Sequence, residues 1–199
     1  MKRSAISGSA LLAIFAASHA SAQSAKTVPQ SVIAALPAGH VVRAAACSDG
    51  FDPPSRICIV AAVRRNEAGL RPAPARPLLV YRLAAGKAVL IDRNDDVVLR
   101  ADEGGQCDPF DDEQGSIAVS GRSFTVENGV ACGQHWTDFI TFRFDPARRA
   151  FLWRSEIYES WRLNESNAPD AEALVSDGRT VRRADPRKPI RLGAYRSRK

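Results

Sequence analysis

The chain has 199 residues, 45% of them hydrophobic and 25% charged, with 13 Gly and 12 Pro. Those proportions exclude a disordered or collagen-like chain, and the length suffices for one core rather than two. Lys and Arg number 28 against 22 Asp and Glu, a formal net charge of +6.

Residues 1–22 carry the three parts of a secretory signal. Lys2 and Arg3 are its basic start, Ala10 to Ala17 its apolar stretch, and Ala20-Ser21-Ala22 its small-x-small cleavage site. The apolar stretch is too short to span a bilayer, and no Cys follows it for lipid attachment. The expectation is an exported bacterial protein, periplasmic or extracellular, whose mature chain begins near Gln23 and has no membrane span.

Residues 23–45 read as a lead-in with a short helix. Pro29 opens it, Val32, Ile33 and Leu36 form its apolar face, and Pro37 with Gly39 ends it. Residues 46–183 read as a β domain. Arg56–Arg65 is an apolar, partly β-branched strand, and the Pro-rich stretch 68–77 is a loop. Arg76–Leu83 and Lys87–Asp92 flank a turn at Ala84-Ala85-Gly86; Asp92–Asp96 reads as a polar turn before a strand from Val97. A loop rich in Gly and Asp runs from Asp102 to Gly115. Ile117 and Val119, then Phe124 and Val126, alternate about a turn at Ser120-Gly121. Asn128-Gly129 is the strongest hairpin signal, because both residues tolerate positive φ. Trp136, Ile140, Phe142 and Phe144 alternate with polar residues, Asp145-Pro146 turns, and Phe151, Trp153, Ile157, Trp161 and Leu163 are expected on one face. Asp177-Gly178 suggests a last hairpin. Short strands joined by tight turns predict a mainly β fold, an antiparallel meander curled into a sandwich or partial barrel.

Four cysteines in an exported chain suggest two disulfides. Of three pairings, Cys47–Cys58 and Cys107–Cys132 are favoured, because each joins a turn-rich position to a strand. A zinc site lacks its usual close-spaced ligand pairs, and the absence of C-x-x-C argues against a redox couple.

From Cys107 to Trp153 a further pattern stands out. It comprises Gly104-Gly105, Asp108-Pro109-Phe110, Gly121, Thr141-Phe142-Arg143-Phe144 and Phe151-Leu152-Trp153. This resembles an uncharacterised family of small secreted bacterial β-rich proteins, over about Ala44 to Arg183. The resemblance implies a secreted β domain and carries no activity. Some members look distantly similar to FG-GAP repeats, whose loops hold calcium through alternating Asp and Asn. The corresponding stretch here, Ser48-Asp49-Gly50-Phe51-Asp52-Pro53-Pro54, lacks that alternation.

Several groups carry candidate chemistry. Asp102, Glu103, Asp108, Asp111, Asp112 and Glu113 form an acidic run that reads as a solvated loop, a weak cation or ligand loop, or a source of general acid and base. His135 is a candidate base, without a nucleophile elbow or zinc-protease motif beside it. Trp136, Trp153, Tyr158 and Trp161 read first as core and second as a sugar-stacking platform. Residues 184–199 read as a basic tail. With the preceding strand they bring Arg182, Arg183, Arg187, Lys188, Arg191, Arg196, Arg198 and Lys199 to a candidate anionic-surface site. No catalytic residue is assigned, and no metal or cofactor is implied.

The sequence therefore points to an exported, non-enzymatic binding or structural domain at the bacterial cell envelope. Its partner would be an anionic envelope surface or an envelope protein; no nucleic-acid recognition motif is present. Two alternatives stand beside it: a hydrolase using the 102–113 loop with His135, and an inhibitor or partner protein of an envelope enzyme.

Overall fold

Two antiparallel sheets face each other across an aromatic core in the structure, a computed structural model that describes residues 28–111, 115–166, 168 and 170–197. The first sheet has the order β1 (His40–Asp52), β2 (Ser55–Arg64), β3 (Arg76–Ala84) and β4 (Lys87–Val98). The second has the order β5 (Ser116–Ser120), β6 (Ser123–Val130), β7 (His135–Asp145), β8 (Ala150–Leu163) and β9 (Leu174–Arg183). Within each sheet every strand pairs with its neighbour in sequence, so the fold is the expected meander, split between β4 and β5 into an open sandwich. Residues 1–22, which the sequence reads as a secretory signal, lie outside the described residues. No helix among the described residues is long and apolar enough to cross a membrane.

The strand β2 shows why its apolar run is unbroken. Ile57, Ile59 and Ala61 face the second sheet, while Cys58, Val60 and Ala62 lie under α1 (Gln30–Ala34). Val32 inserts from α1 into that smaller cluster, and the Tyr81 hydroxyl donates to the Ala35 carbonyl at 2.9 Å. A strand covered on both faces has no polar side to alternate with. The larger core joins these residues to Phe51, Phe110, Phe124, Phe142, Phe144, Phe151 and Trp153. Edge-to-face rings such as Phe51–Phe151, 5.1 Å apart, fill it.

Both favoured disulfides are formed. Cys47 and Cys58 are directly opposed across β1 and β2, and Cys107 ties the loop after β4 to Cys132 in the β6–β7 turn. These bonds are consistent with an exported protein.

Several expected turns are strand. Asn128 and Gly129 lie within β6, opposite Asp138 and Thr137. The Asn128 amide donates to the Val97 carbonyl at 3.0 Å and accepts from the Leu99 N–H at 3.0 Å, stitching β6 to the end of β4. Gly129 is needed for close approach, since a Cβ there would sit 2.9 Å from the Trp136 carbonyl. The turn falls instead at Ala131–Gln134, where Gly133 has φ 71°. Asp92–Asp96 is a bulged part of β4: Asn94 accepts from the Asp96 and Val97 N–H groups, supplying locally what the ladder lacks. Asp177-Gly178 is likewise inside β9.

Phe151 to Leu163 do not share a face. Arg154 is an extra residue in β8: Trp153 opposes Phe142 and Ser155 opposes Thr141. Beyond it the inward positions change parity, so Glu156 is buried and Leu163 is exposed.

The chain end is built into the fold. Residues 184–189 leave β9, and the chain returns so that Trp153 donates its N–H to the Ile190 carbonyl. Leu192 and Tyr195 then bury fully, held by Asn94, whose amide donates to both their carbonyls. Likewise, residues 40–45 of the expected lead-in belong to β1.

Candidate functional site

The inner face of the second sheet changes character along its strands. From Phe144 and Phe142 it continues through Ile140 to Asp138 and Trp136 on β7. On β8 it continues past the Arg154 bulge to Glu156 and Tyr158, and on β9 to Arg182 and Thr180. Cross-strand pairing sets Ile140, Glu156 and Arg182 in one row and Asp138, Tyr158 and Thr180 in the next. This polar end lines a cavity of about 670 Å³, closed from the other side by Leu99, Glu103 and Ser197.

Glu156 anchors the floor. Its Oε2 accepts from Arg182 Nη1 at 2.6 Å and from the Tyr195 hydroxyl at 2.5 Å. Burial and the Glu156 carboxylate push the Tyr195 hydroxyl above its ordinary range, so it remains a donor. The Arg182 guanidinium also lies 5.3 Å from the centre of the Trp153 ring.

Asp138 is the unusual group. It is 7% exposed, and its Oδ1 is buried without a hydrogen-bond partner. Burial, then repulsion from Glu156, raises its pKa to about 7, with Arg182 opposing. Beside it Trp136 and Tyr158 stack, with ring centroids 5.9 Å apart and planes 29° apart. The cavity thus combines a carboxyl without a partner, a fixed ion pair and an aromatic wall. Among the described residues its carboxyl groups, on Asp138, Glu156 and Glu103, outnumber its cation, Arg182.

The acidic loop is committed to the fold instead. Arg76, 1% exposed, donates to both Asp108 and Glu67, and also to the Leu99 carbonyl at 3.2 Å. Burial alone raises the Asp108 pKa, but hydrogen bonds from Arg76 and the Phe110 N–H, with the charges of Arg76 and Arg43, leave it lowered. Asp102 accepts the Ala73 N–H at 2.8 Å, and Glu103 the Arg100 N–H at 2.8 Å. Asp112 and Glu113 lie outside the described residues, and Asp111 borders them. His135 starts β7 opposite Trp161 and does not line the cavity.

The basic residues divide. Arg182 enters the cavity network, and Arg196 pairs with Asp96 at 3.2 Å. Arg191 bridges to β8 at Leu152. Arg183, Arg187 and Lys188 have no acidic side-chain partner among the described residues, and Arg198 and Lys199 lie outside them.

Of the four aromatics that the sequence reads as core or as a platform, Trp136 and Tyr158 stack in the cavity wall, Trp153 is core, and Trp161 lies opposite His135 outside the cavity; the sequence reading does not include Asp138 or Glu156. Asp138 occupies every second position with Trp136, Ile140 and Phe142, so strict alternation places an acid on the core face. Glu156 gives no such signal, because the bulge that turns it inward has no mark in the sequence. The chain matches no protein-family model, no curated protein and no solved structure. The reading of this cavity therefore rests on its geometry.

Proposed function

We propose that this is an exported, non-enzymatic binding domain of the bacterial cell envelope, and that its ligand is an amine-bearing sugar held in the inner-face cavity. The observation that carries the reading is the buried, unpartnered Oδ1 of Asp138 beside a stacked Trp136–Tyr158 pair. A buried acceptor without a partner favours a ligand that brings donors. The excess of carboxyl groups favours a cation, and the aromatic faces favour a sugar ring or an ammonium group. Burial and the two disulfides support a rigid, preformed site.

The test is calorimetric titration of the protein with glucosamine and with glucose, which differ in the amine. Glucosamine is expected to bind and glucose to bind at least about tenfold more weakly, one charge-assisted hydrogen bond being worth that much. Asp138→Asn should abolish the difference. Equal binding of both sugars, or none of either, rejects this ligand class.

The hydrolase reading shifts to the same cavity, because Asp138 and Glu156 put a protonated and an ion-paired carboxyl together. Turnover of amino-sugar oligomers that disappears in Asp138→Asn would establish it over simple binding.

A further inference from the structure

On the opposite face of the same strands lies a second cavity, of about 610 Å³. Arg183 neighbours Arg182 in β9, so the two side chains leave opposite faces of the sheet. The register places Arg183 across from Ser155 and Arg143 across from Leu152, and the bulge residue Arg154 sits between them. All three arginines line this cleft and all three are exposed. Its outer wall is the excursion 184–189, which carries Pro186 and Pro189.

The cleft holds two carboxylates. Asp145 is occupied by Arg148, with Nη1 at 2.7 Å and the Arg148 N–H at 3.1 Å. Asp185 accepts the Arg187 N–H at 2.8 Å within its own loop. None of the guanidinium groups of Arg143, Arg154 and Arg183 has a hydrogen bond or ion pair among the described residues. Three like charges brought from three positions to one concavity repel one another, and the two carboxylates offset them only in part, since four arginines line the cleft against two aspartates. A tetrahedral, doubly charged group offers several oxygens to several guanidinium forks at once, whereas a carboxylate offers two.

We propose that this cleft binds a phosphate-bearing ligand through Arg143, Arg154 and Arg183. It is separate from the amine-binding cavity, so a protein with no affinity for glucosamine leaves the proposal standing. Arg187 and Lys188, on the loop that walls the cleft, add to its positive field.

The test titrates the full chain with inorganic pyrophosphate by calorimetry. Pyrophosphate is expected to bind the wild type and to bind R143Q/R154Q/R183Q about tenfold or more weakly. The corresponding triple Lys variant keeps the charge but loses the forks and should fall between the two. Arg179→Gln, whose partner Glu159 lies outside the cleft, should bind as wild type. Co-sedimentation with phosphatidylglycerol vesicles identifies the source. Capture that pyrophosphate competes away assigns the phosphate to a lipid headgroup. Pyrophosphate binding without capture assigns it to a soluble phosphorylated compound. No pyrophosphate binding, or equal binding by the triple Gln variant and the wild type, overturns the proposal.

Discussion

Asp138 is where a single side chain governs measurable behaviour. Its carboxyl titrates near 4 in an unfolded chain and at about 7 in the fold. Between those values the native state holds the extra proton, so stability falls as pH rises through the window and levels off above it. Below about pH 4 both states are protonated and the contribution is complete. The groups facing Asp138 are Glu156, Arg182, Tyr158 and Tyr195, with Glu103 across the cavity. Asp138→Asn removes the charge that burial opposes. It is expected to flatten the slope between pH 5 and 8, and to make the protein more stable than wild type at pH 8 by roughly 1–3 kcal/mol. Denaturant titrations at both pH values check this. Parallel wild-type and variant curves would mean that Asp138 ionises in the fold as freely as in water.

The bulge in β8 sets what a whole element presents. Arg154 separates an aromatic half-strand, with Phe151 and Trp153 inward, from a polar half-strand, with Glu156 and Tyr158 inward. Deleting Arg154 removes the extra residue and restores simple alternation with Trp153, Glu156 and Tyr158 all still inward, because Ser155 then follows Trp153 directly. The deletion keeps every cross-strand pair of β7 with β8 on its own face, so it and Arg154→Ala, which keeps the extra residue, are both expected to unfold close to wild type. Thermal unfolding of the pair is the check, and a midpoint for the deletion far below that of Arg154→Ala would show that Arg154 is more than an extra residue in the strand. The same residue marks how far the sequence is legible. Period-two patterning reveals β5, β6 and β7, and the turn expected at Ala84-Ala85-Gly86 is there, with Ala85 and Gly86 at positive φ. Asn128-Gly129 reads as a turn because the pair suits positive φ, yet here the amide is a buried bridge and the glycine a point of close approach. Local propensity yields at these positions to partners 29 and 31 residues away, which no window around them contains.

At the scale of the whole molecule the question is what the basic end contributes. Its composition suggests a solvated tail, but Leu192 and Tyr195 are 0% and 1% exposed, and Asn94 spends its amide on their carbonyls. The Tyr195 ring packs 5.4 Å from Phe142 and 5.8 Å from Trp153, and its hydroxyl supports Glu156. A chain ending at Arg183 therefore loses two core side chains and leaves Asn94, Glu156 and the Trp153 N–H short of partners. At about 2 kcal/mol for each buried side chain, with a further cost for the polar groups, the loss is on the order of 5 kcal/mol. That is comparable to the entire stability of an ordinary domain. The truncated protein is expected to lose its near-ultraviolet circular dichroism, while a chain ending at Ser197 unfolds with the full-length midpoint. A cooperative, undiminished transition in the shorter chain would show that the end only rests on the sandwich. Because the end belongs to the core, its electrostatic role is separable from its structural one only by neutralising exposed cations such as Arg183, Arg187 and Lys188 in place. Those substitutions leave Leu192 and Tyr195 where the two sheets need them, so a change in binding then reports charge alone.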